Sequence, residues 1–307
     1  MKVYINREPV SGPWGGGNKT VSRLVDVLIE NNNNVVFDLD DNDIDLIFCF
    51  DPRPNSKGVW YRDFLDYVEK KKDTKIIQRI GDVGTHGKPD LTSLVKSTAN
   101  YSDFLIFPSN WAKNYIDYQG ENFSIVRNRP LRSFHKNKKK YESPGDILKV
   151  VTHHWSTNPK KGFDIYSEVV SILKKEQIEI EFTYIGRTPE NFKSNGIKVI
   201  NPKDVNFLSN HLPNYDIYFT ASLEEAGANH VLEGIAAGLP VVFHTGGGSI
   251  PEYASKYGAG FSNTSEIPEA FSNVIRNFNK YKSICMEYEE DIDQTIRDYM
   301  EIICRIK

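Results

Sequence analysis

Two glutamates, Glu225 and Glu233, stand eight positions apart around a short glycine-containing loop in the segment Ser222-Leu-Glu-Glu-Ala-Gly-Ala-Asn-His-Val-Leu-Glu-Gly-Ile-Ala-Ala-Gly-Leu-Pro-Val-Val242. A carboxylate accepts two hydroxyl hydrogen bonds at once, so each of these groups can hold a vicinal diol. Between them, Gly227 lets backbone approach a ligand closely. Ala228 and Asn229 then open a helix whose free amides and positive dipole end suit a diphosphate. Glu233 lies about one turn further in, roughly 6 Å along the axis at ~1.5 Å per residue. The arrangement can grip a ligand with a hydroxyl-rich end, a diphosphate middle and a ribose end, which describes a nucleotide sugar. Holding, rather than acid–base exchange, is the work this spacing suits.

Such a loop needs a strand behind it and a buried strand ahead of it. Ile217 to Thr220 and Pro240 to Phe243 are the apolar runs that fit. The same alternation of short apolar runs and amphipathic stretches occurs twice in the chain. In the first half, strands are expected at Lys2–Ile5, Val35–Phe37, Leu46–Phe50, Lys75–Arg79 and Phe104–Phe107. Helices are expected over a stretch presenting Val21, Leu24, Val25 and Leu28 on one face, at Tyr61–Lys70, at Leu91–Ala99 and at Asn110–Tyr118. The basic, proline-bearing stretch Pro130–Asp146 interrupts the rhythm as a linker. Strands then resume at Ile147–Val151, Ile178–Ile185 and Ile197–Ile200, with helices at Asp164–Lys175, Pro268–Phe278 and a last one from Ser283 to Arg305. Buried strands alternating with helices predict parallel sheets covered on both faces. The expected architecture is α/β, with two tandem Rossmann-like, doubly wound domains at 1–140 and 141–282. A C-terminal helix over 283–307 is expected to pack back on the first domain, and ligands are expected beyond the carboxyl ends of the strands, in an inter-domain cleft.

Bulk properties bound the function. The 307 residues suit two domains, and 39% hydrophobic content with 12% aromatics supplies packed cores. A formal net charge of -3 speaks against a nucleic-acid binder. Three cysteines without metal-ligand spacing read as reduced thiols, and with no signal peptide or apolar span visible the expected location is the cytoplasm. Peripheral membrane contact is open through the run Arg132–Lys140, whose plainer reading is a solvated linker. The adjacent His153 and His154 point to opposite faces of a strand and are not read as a metal pair. Asp38-Leu-Asp40 and Asp43-Ile-Asp45 imitate a metal-binding D-x-D pattern but sit in an acidic surface loop, so no metal and no cofactor are expected.

The run Glu225-Ala-Gly-Ala-Asn-His-Val-Leu-Glu233-Gly-Ile-Ala-Ala-Gly-Leu-Pro-Val-Val242 closely resembles the signature of glycosyltransferase family 4, retaining enzymes of GT-B fold. The resemblance implies Glu225 on the donor hexose, Glu233 on the ribose, and a hydroxyl acceptor that is a glycan, lipid-linked or a small molecule. Lys161-Gly162-Phe-Asp164 resembles the family's phosphate-binding Lys-Gly, where an ammonium neutralises charge on the leaving diphosphate. Family members usually carry an arginine five or six residues before that lysine. Trp155 and Ser156 occupy those places, leaving Ser156, Asn158 or Lys160 as substitutes. Gly12-Pro-Trp-Gly-Gly-Gly-Asn18 resembles the glycine-rich first turn, with Gly16 and Gly17 as donor contacts. In Arg79-Ile-Gly-Asp-Val-Gly-Thr-His86, either His86 or Asp82 is the candidate for touching the transferred hexose or the acceptor. Gly246-Gly-Gly-Ser-Ile-Pro-Glu252 resembles the loop against the donor sugar, with Glu252 structural. The alternatives are a nucleotide-sugar epimerase of the same fold and a non-catalytic sugar-nucleotide-binding partner of another transferase.

Overall fold

The computed structural model describes residues 1–10, 16–140 and 143–306. The chain divides into two compact units, Met1–Asn128 with Ile292–Lys307, and Arg129–Asp291.

The first unit is built on a six-stranded sheet of order β2-β1-β3-β4-β5-β6 in which every neighbouring pair is parallel. Its strands are β1 (Lys2–Ile5), β2 (Asn34–Val36), β3 (Leu46–Cys49), β4 (Lys75–Arg79), β5 (Phe104–Phe107) and β6 (Phe123–Ile125). Helices α1 (Gly16–Glu30), α2 (Tyr61–Lys70), α3 (Pro89–Ala99) and α4 (Asn110–Tyr115) connect them. All four residues of β3 are buried, as a central parallel strand demands. Val21, Leu24 and Leu28 of α1 are fully buried on one stripe. Chain order leaves β1 towards β2 on one side and β3 on the other, so the switch point lies between β1 and β3.

The second unit repeats the plan with order β12-β11-β10-β7-β8-β9, again all parallel. The strands are β7 (Leu148–His154), β8 (Ile180–Gly186), β9 (Lys198–Ile200), β10 (Ile217–Thr220), β11 (Val241–His244) and β12 (Gly258–Phe261). The helices are α5 (Phe163–Lys175), α6 (Val205–His211), α7 (Asn229–Ala236), α8 (Ile250–Ala254), α9 (Ile267–Arg276) and α10 (Phe278–Glu287). Its switch point lies between β7 and β10.

Three expectations need correction. The linker boundary at 140 and the helix start at 283 give way to unit boundaries after Asn128 and after Asp291. Phe134 is the reason on the N-terminal side, since its ring is fully buried in the core around Leu232 and Ile235. The stretch Arg132–Lys140 is therefore not merely a solvated linker. Lys138 Nζ donates to the carbonyls of Cys285 (3.1 Å), Met286 (3.0 Å) and Tyr288 (2.5 Å). His135 ring nitrogens reach the carbonyls of Tyr288 and Glu290. These contacts take up the orphan carbonyls where α10 ends, and the expected single last helix is accordingly broken into α10 and α11 (Ile292–Ile306). Third, β7 ends at His154 rather than at Val151, and the two histidines lie within it as neighbours on a strand, as expected. No described helix is long and apolar enough to cross a membrane. Among the described residues no group of three or more His, Cys, Asp or Glu is arranged to hold a metal ion.

Candidate functional site

At the carboxyl end of β7 the chain makes one 3-10 turn, Pro159–Lys161, capped by Asn158, whose Oδ1 accepts the Lys160 amide at 3.0 Å. Gly162 follows in the left-handed conformation with φ 85°. A Cβ there would stand 2.5 Å from Ala221, so only glycine lets this turn press against the end of β10. The Leu223 amide then donates to the Lys160 carbonyl at 2.8 Å. Two consecutive lysines thereby meet two consecutive glutamates. Lys160 pairs with Glu224, and Lys161 Nζ lies 2.5 Å from Glu225 Oε1, with side chains only 12% and 13% exposed. The switch point of the unit is thus occupied by an ammonium and a carboxylate delivered from its two divergent strands.

Glu225 is held from the other side as well. Its amide donates to the Gly247 carbonyl at 3.2 Å, and its carbonyl accepts the Ser249 amide at 2.8 Å. Gly248 (φ 69°) makes this possible, because a Cβ there would fall 2.5 Å from the Glu225 carbonyl oxygen. The adjoining Glu224 sits at φ 52°, a left-handed conformation costing a non-glycine residue about 1–2 kcal/mol. The Gly246–Ser249 loop, expected against the donor sugar, is in this way stitched to the Glu225 loop.

The opening of α7 corrects one detail. Amides at Gly227, Ala228 and Asn229 were the expected diphosphate donors. The Ala228 amide donates to Ser249 Oγ at 3.1 Å and the Asn229 amide to the Gly227 carbonyl at 3.0 Å. At those two positions the expected free amides are engaged by the protein.

Behind them stands a buried polar chain that residue spacing does not announce. Glu233 and His153 are both under a tenth exposed, and His153 Nε2 lies 2.7 Å from Glu233 Oε2. The hydroxyl of Tyr218 lies 3.0 Å from His153 Nδ1 and accepts the His153 amide at 3.2 Å. Burial pushes the Tyr218 phenol well above its ordinary range, so it remains a donor. The tautomer that completes the chain has Tyr218 O–H donating to Nδ1 and Nε2–H donating to the Glu233 carboxylate. Gly234 makes room, since a Cβ there would lie 2.6 Å from the Tyr218 ring. The available signal was the strand position of His153, six residues before the turn that carries the lysines. His154, on the opposite side of the pleat, is stacked on Tyr166 and bonded to its hydroxyl at 2.7 Å.

His230, in the first turn of α7, lies within the fields of Glu225, Lys161, His153 and Glu233, and its Nε2 meets Thr220 Oγ1 at 3.1 Å. Burial pushes its pKa down from 6.5 to about 3, against the pull of Glu225. The unfolded chain therefore binds a proton near pH 6.5 that the folded chain refuses until about pH 3. Stability should fall as pH drops through that window, by at most about 1.4 kcal/mol per pH unit from this group. Urea midpoints at pH 7 and pH 5 should converge in His230→Gln relative to the unmodified chain. Equal losses in the two proteins would remove His230 as the cause.

The remaining expected site residues are less committed to this centre. Ser156 is exposed and its Oγ accepts the Asn158 amide at 3.1 Å. Asn158 is spent on its cap and Lys160 on Glu224. The side chain after β8, Arg187, lies over the Trp155 ring at 5.0 Å. In the first unit, Gly16 and Gly17 open α1, Gly17 beside the Arg7 side chain, while residues 11–15 of the glycine-rich turn lie outside the described residues. Asp82 accepts the Gly84 amide at 2.9 Å and pairs with Lys88 at 2.6 Å. Burial raises its pKa, but Lys88 and the Gly84 amide outweigh that and leave it lowered, a turn-forming carboxylate. His86 occupies the same turn, half-buried.

Solved structures with this architecture exist. Anabaena Alr3699/HepE in complex with UDP matches with a TM-score of 0.70 at 13% identity, covering 99% of this chain and 99% of that one. A glycosyltransferase from Rickettsia africae ESF-5 matches at 0.68 and 14% identity, covering 99% and 98%. Sucrose-phosphate synthase (tll1590) from Thermosynechococcus elongatus matches at 0.69 and 10% identity, covering 100% and 99%. Two parallel six-stranded α/β units in this order make the fold the GT-B type of these glycosyltransferases. Residues 148–279, within the second unit, match the family described as Glycosyl transferases group 1. A comparison with curated proteins finds no sequence match.

Proposed function

We propose that the chain is a retaining, metal-independent glycosyltransferase of family 4 that moves a hexose-type sugar from a nucleoside diphosphate to a hydroxyl acceptor. The observation that carries this reading is the Lys161–Glu225 pair at the switch point, with the Glu233–His153 pair buried behind it. Glu225 holds sugar hydroxyls, Glu233 the ribose hydroxyls, and Lys161 neutralises the departing diphosphate. The acceptor oxygen attacks the anomeric carbon on the face from which the diphosphate leaves. The carbon–phosphate-oxygen bond breaks as the new glycosidic bond forms, and the acceptor proton passes to a phosphate oxygen. Catalysis on this account is positioning plus charge stabilisation. The donor class is supported by the neighbour HepE, solved with UDP and with UDP-glucose. Arg187 is the further cation at this sheet edge and makes no ion pair among the described residues.

The test is thermal stabilisation by UDP, GDP, ADP, CDP and their sugars. One base should stand out, adding about 2.7 kcal/mol of stability at a hundredfold excess over its dissociation constant. The reading is lost if no nucleoside diphosphate shifts the transition.

A further inference from the structure

The first unit has its own switch point, between β1 and β3. A cavity of about 450 Å³ opens there, at the carboxyl ends of those strands, lined among others by Asn6, Arg7, Asp51, Arg53, Asn55 and Lys57. Open α/β sheets bind ligands at this location.

The charges around it do not balance locally. Asp51 is held by Arg53 in a two-point contact, Nε to Oδ1 at 2.9 Å and Nη2 to Oδ2 at 2.6 Å. Lys57 stands 3.6 Å from Glu8 and 3.7 Å from Asp38, both exposed. Arg7, half-buried, has no ion pair or hydrogen bond to its side chain among the described residues. Residues 11–15 include no acid and so supply no ion pair. Burial lowers its pKa, Asp51 works against that, and the neighbouring Arg79 and Arg53 lower it further.

Arg79 is 6% exposed, and its partners among the described residues are neutral: Tyr299 Oη and Asn128 Oδ1, each at 3.0 Å, with the Phe50 ring beneath. A half-buried and a buried guanidinium, within each other's field and without a carboxylate of their own among the described residues, form a site for an anion. The planar fork of Arg7 suits the two-point geometry of a phosphate or carboxylate.

We propose that this cavity takes the anionic group, phosphate or carboxylate, of the hydroxyl acceptor. Arg7 is the contact and Arg79 the buried charge that supports it. The inference rests on the transferase reading, in which Lys161 already serves the donor's diphosphate, so that the anion Arg7 awaits belongs to the second substrate.

The experiment is calorimetric titration of the full chain, saturated with its preferred nucleoside diphosphate, by glycerol 3-phosphate, glycerate, inorganic phosphate and glycerol. The anions are expected to bind and glycerol is not. Arg7→Gln should weaken anion binding at least tenfold while the nucleoside diphosphate binds within twofold of its original affinity. Arg7→Lys, which keeps the charge and loses the fork, should fall between, and it carries the test should Arg7→Gln not fold. Anions binding no better than glycerol, or binding untouched by Arg7→Gln or Arg7→Lys, would overturn the proposal. If no nucleoside diphosphate binds, the donor reading fails by itself, and the same titrations without it still decide the cavity. Sedimentation with phosphatidate vesicles against phosphatidylcholine vesicles separates sources. Vesicle binding lost in Arg7→Gln assigns the anion to a lipid headgroup, and binding confined to the soluble probes assigns it to a free acceptor.

Discussion

Lys161→Ala is expected to reduce sugar transfer by about 10²–10³-fold, the usual effect of removing one charge stabiliser from a developing anion. The loss should fall on turnover more than on donor affinity, because the ammonium is needed most when the diphosphate carries its departing charge. The geometry adds a second expectation. Lys161 and Glu225 are each other's counter-ion at 2.5 Å, both largely withdrawn from water. Removing either alone deprives the other of this counter-ion, so Lys161→Ala and Glu225→Ala should each be severe. The double variant should fall well short of the sum of the two losses, as for groups acting as one unit. Steady-state kinetics on the four proteins decides this. Full turnover in both single variants would mean that the pair has no part in the reaction.

The second large effect concerns His153. His153→Leu keeps the volume of a buried side chain and removes the Nε2–H that faces Glu233. It leaves a carboxylate under a tenth exposed without that donor, a loss of about 3 kcal/mol in the stability of the second unit. His153→Gln, whose amide can still donate, should recover part of it. Affinity for the preferred nucleoside diphosphate should follow the same order, while its 2′-deoxy counterpart should bind the Leu variant nearly as well as the ribose form does. Urea unfolding and ligand titration read both. If His153→Leu matched the unmodified protein in stability and in preference for ribose, the histidine would be a bystander.

Much of this could be read from residue order because the fold is carried by local runs. Ile217–Thr220, Lys75–Arg79 and Phe104–Phe107 are continuous apolar or half-buried stretches, and they form strands with those bounds. The strands that escaped notice lacked such runs. In β12, Gly258-Ala-Gly-Phe261, glycine is required because a Cβ at Gly258 would meet the Val241 carbonyl at 1.7 Å. β6 is a three-residue edge strand with no fully buried member. The short α6 is only seven residues long, too short for a helical period to show.

The site divides in the same way. The glutamates and Lys161 announce themselves by spacing. The partnership of His153 with Glu233 spans 80 residues and depends on β7 lying beside β10, which no local pattern reveals. The engagement of the Ala228 amide by Ser249 is likewise a long-range fact. Arg7, Arg53 and Arg79 look like scattered surface cations until the topology gathers them.

The chain enters the second unit at Arg129 and leaves it at Asp291, and these two ends are tied together. Arg129 pairs with Glu290 at 2.9 Å, His135 reaches Tyr288 and Glu290, and Lys138 seals the end of α10. In the language of gene architecture, the second unit is an insert within the first, spliced in through a clasped stem. A segment whose entry and exit are already joined carries its own closure with it, independent of the chain that hosts it.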